Sequence, residues 1–237
     1  MIKGVIDMEN EIKAVCTKCG GNLVPDQEGK IYRCMFCGVA FGSSILFNKE
    51  AEFKAYNAAM TGEFNEADVW YRCVLMRDPG NAKALRGRIL CAGKWKTLTE
   101  VDTESKMSNV RFESILERVD EAAEHTEDEE TKEFFTDLRK LIELLAQIQK
   151  KNIEMKPLEG RIDKLKEKRE EVFEDTEAET HFAENAVNSA LYKADADRSR
   201  LMQSRNRFFD EFKALRTKLI SVENKLKLDV RPVLAGD

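Results

Sequence analysis

Two stretches decide the N-terminal fold: Val15-Cys16-Thr17-Lys18-Cys19-Gly20-Gly21 and Tyr32-Arg33-Cys34-Met35-Phe36-Cys37-Gly38. Together they read Cys-x2-Cys-x14-Cys-x2-Cys. Each short pair closes a tight turn that sets two thiolates on one side, where backbone amides can hydrogen-bond the sulfurs. Gly20 and Gly38 follow the second cysteine of each pair, where a positive φ is often required. Four soft ligands in a tetrahedron suit Zn(II). Four cysteines also close the coordination shell, so the expected role of the metal is structural. A four-thiolate iron centre is the main rival. A thioredoxin-type redox pair fits less well, because one pair would suffice and no βαβ pattern follows.

The residues between the pairs fit a hairpin. Leu23-Val24-Pro25 leads into the turn-rich Asp26-Gln27-Glu28-Gly29, and Lys30-Ile31-Tyr32-Arg33 returns. So small a segment cannot bury a stabilising core, and metal binding would supply on the order of 10 kcal/mol of folding free energy. With both Cys-x-x-Cys-Gly knuckles in place, residues 12–42, within a domain assigned to 12–47, resemble a zinc ribbon of the type that many bacterial proteins carry at the N-terminus. The resemblance implies one structural zinc held by Cys16, Cys19, Cys34 and Cys37. Ribbons of this kind bind DNA, RNA or protein, or cap a neighbouring domain.

The rest of the chain is punctuated very unevenly. Ten of the twelve Gly and all six Cys precede residue 100, and beyond it stand only Gly160, Gly236, Pro157 and Pro232. One compact domain with evenly spread turns is thereby excluded. Apolar residues make up 42% and charged residues 35%, too apolar for full disorder. The N-terminus lacks the apolar stretch of a signal peptide, and no window approaches a membrane span. A cytoplasmic chain with no membrane partner is expected.

From Asn48 the apolar period becomes 3.6. Helices are expected over Glu50 to Met60, Glu63 to Met76 and Ala82 to Gly93. They are broken at Thr61-Gly62 and at Asp78-Pro79-Gly80-Asn81. Gly62-x-Phe64-x-Glu66-Ala67, Tyr71, Leu75 and Asp78-Pro79-x-Asn81 resemble the second half of a tetratricopeptide repeat, within a region assigned to 48–99. Ala51 and Lys54 depart from that pattern, where Trp and Leu are usual. The resemblance implies one repeat plus a capping helix, too few for a long concave groove. Cys73 and Cys91 read as small buried apolar residues, and Trp70 and Trp95 as packing residues.

A linking helix is expected within 100–130, following Ser108 and using Val110, Ile115, Leu116 and Val119. A coiled-coil hairpin is expected over 131–230, with short tails at 1–11 and 231–237. Leu138, Leu141, Leu145, Ile148, Asn152 and Met155 step by alternating threes and fours. The register slips once near Pro157 and Gly160, where a kink or local rewinding is expected. Val187, Leu191, Ala194, Arg198, Leu201, Arg205, Phe208, Phe212, Leu215, Leu219, Val222 and Leu226 form a second seam, about 60 Å long. The polar stretch 174–180 is the expected turn.

Charge favours pairing of the two seams within one chain. Residues 100–179 carry 14 basic and 25 acidic groups, whereas 180–237 carry 11 and 8. In a parallel dimer, Arg198 and Arg205 would face their own copies. A monomer with an intramolecular hairpin is therefore preferred over a coiled-coil dimer. The expected fold is mainly α: a small β zinc ribbon, a short helical-repeat region and a long antiparallel coiled-coil hairpin.

No phosphate loop, nucleophile elbow or His-Glu-x-x-His helix is present, and His125 and His181 lack local nucleophilic partners. A non-enzymatic scaffold is expected, contacting protein partners through the repeat and the arm. One alternative is a nucleic-acid-associated regulator that uses Lys18, Lys30, Tyr32, Arg33 and Phe36. Its basic footprint is slight, since residues 11–47 carry only one excess positive charge. The other alternative is a structural oligomer assembled through the coiled coil.

Overall fold

The computed structural model describes residues 15–16, 18–26, 28–43, 50–101, 111–174 and 180–232, with no account of the side chains at 173–174 and 180–182. The expected tails at 1–11 and 233–237, the helix start at Ser108 and Val110, the turn at 175–179 and the His181 side chain lie outside these residues. The described residues fall into two compact units. The first draws on Met1–Val101, Arg111–Arg139 and Leu219–Asp237, the second on Asp102–Val110 and Lys140–Lys218.

The first unit begins with an antiparallel sheet of β1 (Leu23–Pro25), β2 (Ile31–Cys34) and β3 (Ala40–Gly42) in the order β1-β2-β3. The registers are Leu23↔Cys34 and Tyr32↔Phe41. Asp26 builds the first turn: its Oδ1 accepts from the amides of Lys30 (2.8 Å) and Ile31 (3.2 Å). Period-2 alternation then places Val24, Ile31 and Arg33 on one open face, with Tyr32 and Phe41 on the other.

Four helices follow: α1 (Ala51–Thr61), α2 (Phe64–Leu75), α3 (Ala82–Gly93) and α4 (Phe112–His125). Bare alanines let α1 pack closely, since Ala51 and Ala55 are fully buried. At α3, Asn81 caps the N-terminus by accepting from the Ala84 amide at 3.0 Å, worth about 1 kcal/mol. That helix contains Gly87 because the Tyr71 ring lies against it. A Cβ there would sit 2.3 Å from Tyr71 Cζ. Trp95, 3% exposed, covers Gly93 in the same way.

Sequence reading expected one repeat plus a capping helix here. The helices pack in succession, α2 against α1, α3 against α2 and α4 against α3. Asp68 on α2 joins three of these helices. Its Oδ1 accepts from Arg118 on α4 (2.6 Å) and Arg88 on α3 (3.3 Å), while its Oδ2 meets Arg72 at 3.0 Å. A carboxylate only 9% exposed is tolerated because three guanidinium groups surround it.

Two 46-residue helices follow, α5 (Glu129–Glu174) and α6 (Thr180–Lys225). Asp128 starts α5, accepting from the Thr131 amide at 2.8 Å and its hydroxyl at 2.7 Å. The helix runs through Pro157 without a break. The expected seam is the buried stripe: Leu138, Leu141, Leu145 and Ile148 have no exposed surface, and Met155 and Ile162 are buried. Phe134, Phe135, Ile142 and Leu144 are buried too, which makes the stripe wider than a two-helix seam needs.

In the second unit, Ile162 of α5 packs with Leu191 and Ala194 of α6. In the first, Glu130 of α5 pairs with Lys225 of α6. Numbers rise along one helix as they fall along the other, so the pairing is antiparallel, as the two seams joined by a turn had led us to expect. No helix among the described residues is long and apolar enough to cross a membrane.

Candidate metal centre

The two knuckles are built alike. In the first, the Cys16 amide donates to the Gly21 carbonyl and the Gly20 amide returns to the Cys16 carbonyl, both at 2.8 Å. In the second, the Cys34 amide donates to Val39 at 2.8 Å and Gly38 to Cys34 at 3.0 Å. Closing each loop requires the left-handed region one residue past the second cysteine. Gly20 and Gly38 supply it, at φ 73° and 72°.

These turns bring all four sulfurs together. Every Sγ of Cys16, Cys19, Cys34 and Cys37 lies within 4.8 Å of the others. Cys16 approaches Cys37 at 3.6 Å, and Cys19 approaches Cys34 at 3.4 Å. A tetrahedron with metal–sulfur bonds of about 2.3 Å has edges of about 3.8 Å. The cluster fits one tetrahedral metal ion, and these four cysteines would hold it.

The electrostatics agree with that use. The Cys37 amide, and after it the Phe36 amide, favour the Cys34 thiolate, whose pKa is lowered to about 6. At Cys19 the Gly21 amide favours the thiolate, but the sulfurs of Cys34, Cys37 and Cys16, with burial, outweigh it. That pKa is raised to about 12. Four sulfurs this close cannot all ionise by themselves, and a cation resolves the conflict.

The other two cysteines behave differently. Cys73 and Cys91 are buried, and burial raises both pKa values, that of Cys91 to about 12. Such thiols are poor nucleophiles at neutral pH. Trp70 lies on the surface side of α2, where its Nε1 donates to Glu66 at 3.2 Å and Lys54 sits over its ring. His125 is exposed, with Nδ1 2.8 Å from the Glu121 carbonyl.

The five candidate nucleic-acid contacts do not share one surface. Arg33 is on the open sheet face, whereas Tyr32 points to the opposite side with Phe41. Lys30 is paired with Glu28 at 2.7 Å. Large apolar side chains are exposed here beside Lys18, Lys30 and Arg33. Phe36 is 82% and Met35 71% exposed between the cysteines of the second knuckle, and Val24 and Ile31 are partly exposed on the sheet. The Phe36 ring rests on Gly21, where a Cβ would fall 2.4 Å from its Cδ2.

The sheet is tied to the helices by the Val15 amide, which donates to the Met76 carbonyl at 2.9 Å. Beside this link, a cleft of about 180 Å³ is lined by Cys16, Lys18, Leu75, Arg88, Glu121 and His125. Sequence reasoning missed that docking, because a backbone hydrogen bond leaves no mark on residue type. No family model, curated protein or solved structure matches this chain.

Proposed function

We propose that this chain is a non-enzymatic, cytoplasmic interaction protein whose zinc-stabilised knuckle presents an apolar tip to a protein partner. Zinc is the metal that four thiolates in a closed tetrahedron suit best. The repeat-like helix pairs carry this head, and the coiled-coil hairpin serves as spacer and second docking surface. The observation that carries the reading is the exposure of Phe36 and Met35 on the loop between Cys34 and Cys37 of the four-cysteine cluster. A rigid loop with an exposed aromatic loses little entropy on binding, which is how interface anchors work. The placement of Arg33 and Tyr32 on opposite faces of the sheet favours a protein partner over nucleic acid.

The test is affinity capture with the full chain, its Phe36→Asp variant and its Cys34→Ser variant. The expected result is a partner held by the unaltered chain and lost in both variants, with metal content unchanged in Phe36→Asp. Capture that survives Phe36→Asp would contradict the reading.

A further inference from the structure

The last described residues return to the helix pairs and fill a groove on them. At the end of α6 the Lys227 amide donates to the Asn224 carbonyl (3.2 Å), and the Leu228 amide donates to Glu223 (3.0 Å). This is a Schellman closure, with Lys227 in the left-handed region at φ 55°. A residue with a side chain adopts that conformation less readily than glycine. The reversal drives Leu228, 6% exposed, down between α1 and α3.

Around Leu228 the contacts are varied in chemistry. Asp229 Oδ1 lies 2.8 Å from an Arg86 terminal nitrogen on α3. Arg231 sits over the Phe53 ring of α1, 5.4 Å from its centroid. Leu228, Val230 and Pro232 line the groove with Glu52, Tyr56, Tyr71 and Lys83, and the space left is only about 10 Å³, too little for a well-held water. The segment therefore occupies this groove as an extended ligand would.

Three features bear on how firmly the segment is held. Val230 is 51% exposed, so Leu228 is the one deep apolar anchor of the segment. Arg86 and Asp229 meet as charges, but neither atom of that contact has an aligned hydrogen bond. Arg86 is also held by Glu223 in the last turn of α6. Removing residues 228–232 therefore leaves the buried guanidinium still paired, and the groove keeps its charge in place.

We propose that the α1–α3 face is a binding surface for an extended peptide segment bearing a carboxylate between branched apolar residues, and that residues 228–232 are its resident, displaceable ligand. The groove takes a partner only when the partner's segment competes with the tail. Tethering gives the tail an effective concentration on the order of millimolar, which sets the strength a competitor must reach. The proposal does not depend on docking through Phe36, because the two surfaces share no residue.

The probe is a fluorescein-labelled peptide with the sequence of residues 226–232, titrated by anisotropy into the full chain and its Asp229→Arg variant. Asp229→Arg sets a positive charge against Arg86 and frees the groove. An apparent affinity falls by the fraction of free sites, so the variant is expected to bind the peptide at least about tenfold more tightly. Replacing the peptide's own Asp by Asn should weaken that binding. Equal affinity for both chains, or binding to neither, overturns the proposal.

Hydrogen exchange on the unaltered chain gives a second test that needs no variant. Unlabelled peptide at about millimolar concentration should speed exchange of the Leu228 amide and leave that of Ile89 unchanged. No change at Leu228 overturns the proposal.

Discussion

Arg86 on α3 and Glu223 in the last turn of α6 form an ion pair across 137 positions of sequence, each side chain only 4% exposed. The pair closes the first unit, joining the end of the long hairpin to the helix pairs. Buried pairs cost much to desolvate and more to break. Arg86→Met is expected to lower stability by about 3 kcal/mol, because it strands a buried carboxylate. The double variant Arg86→Met/Glu223→Leu should recover most of the loss. Urea titrations of the three proteins provide the comparison, and a double variant as weak as the single one would contradict it.

The same carboxylate sets a pH dependence. Burial raises the Glu223 pKa above its ordinary 4.5, and the attraction of Arg86 only partly opposes this. For a group whose folded pKa exceeds its unfolded one, the stabilising contribution is full below the unfolded value. It is lost as pH rises through the folded value. Acidification from neutral pH toward that range should therefore favour the unaltered chain relative to Glu223→Gln. Denaturation midpoints of both proteins at several pH values measure the difference, and a constant difference would be the contrary result.

Gly87→Ala inserts a methyl where the Tyr71 ring already lies, 2.3 to 2.7 Å from its nearest atoms. Tyr71 is 5% exposed and has little room to move. Overpacking of this kind costs about 1–3 kcal/mol, against about 1 kcal/mol gained from helix propensity. A net loss is expected, read as a lower melting temperature with the metal retained. A more stable variant would show that the Tyr71–Gly87 contact is loose.

Much of this architecture was legible because it is written in short-range spacing. Cysteines three positions apart, each pair followed by a glycine, specify a knuckle locally, and Gly20 and Gly38 take the positive φ that the motif requires. The α3 boundaries, Ala82 and Gly93, were readable from the turn at Asp78-Pro79-Gly80-Asn81 and the apolar period. The seam was readable because burial follows it from Leu138 to Ile162. What escaped depends on distant partners. Asp68 looks like an ordinary surface acid until Arg88 and Arg118, 20 and 50 positions away, reach it. The α4 pairing escaped because a long interval separates that helix from α3. The return of Leu228 escaped because one apolar residue after a helix carries no period.

On the proposed reading, Cys16, Cys19, Cys34 and Cys37 hold one zinc that fixes the knuckle and its Phe36 tip. The most direct measurement is the metal content of the purified full chain and of Cys34→Ser, by elemental mass spectrometry with circular dichroism alongside. One zinc per chain is expected, lost or much weakened in the variant, with the helical signal of α5 and α6 retained. A chain that binds no metal when zinc is supplied, or a Cys34→Ser variant that holds it equally well, would contradict the account.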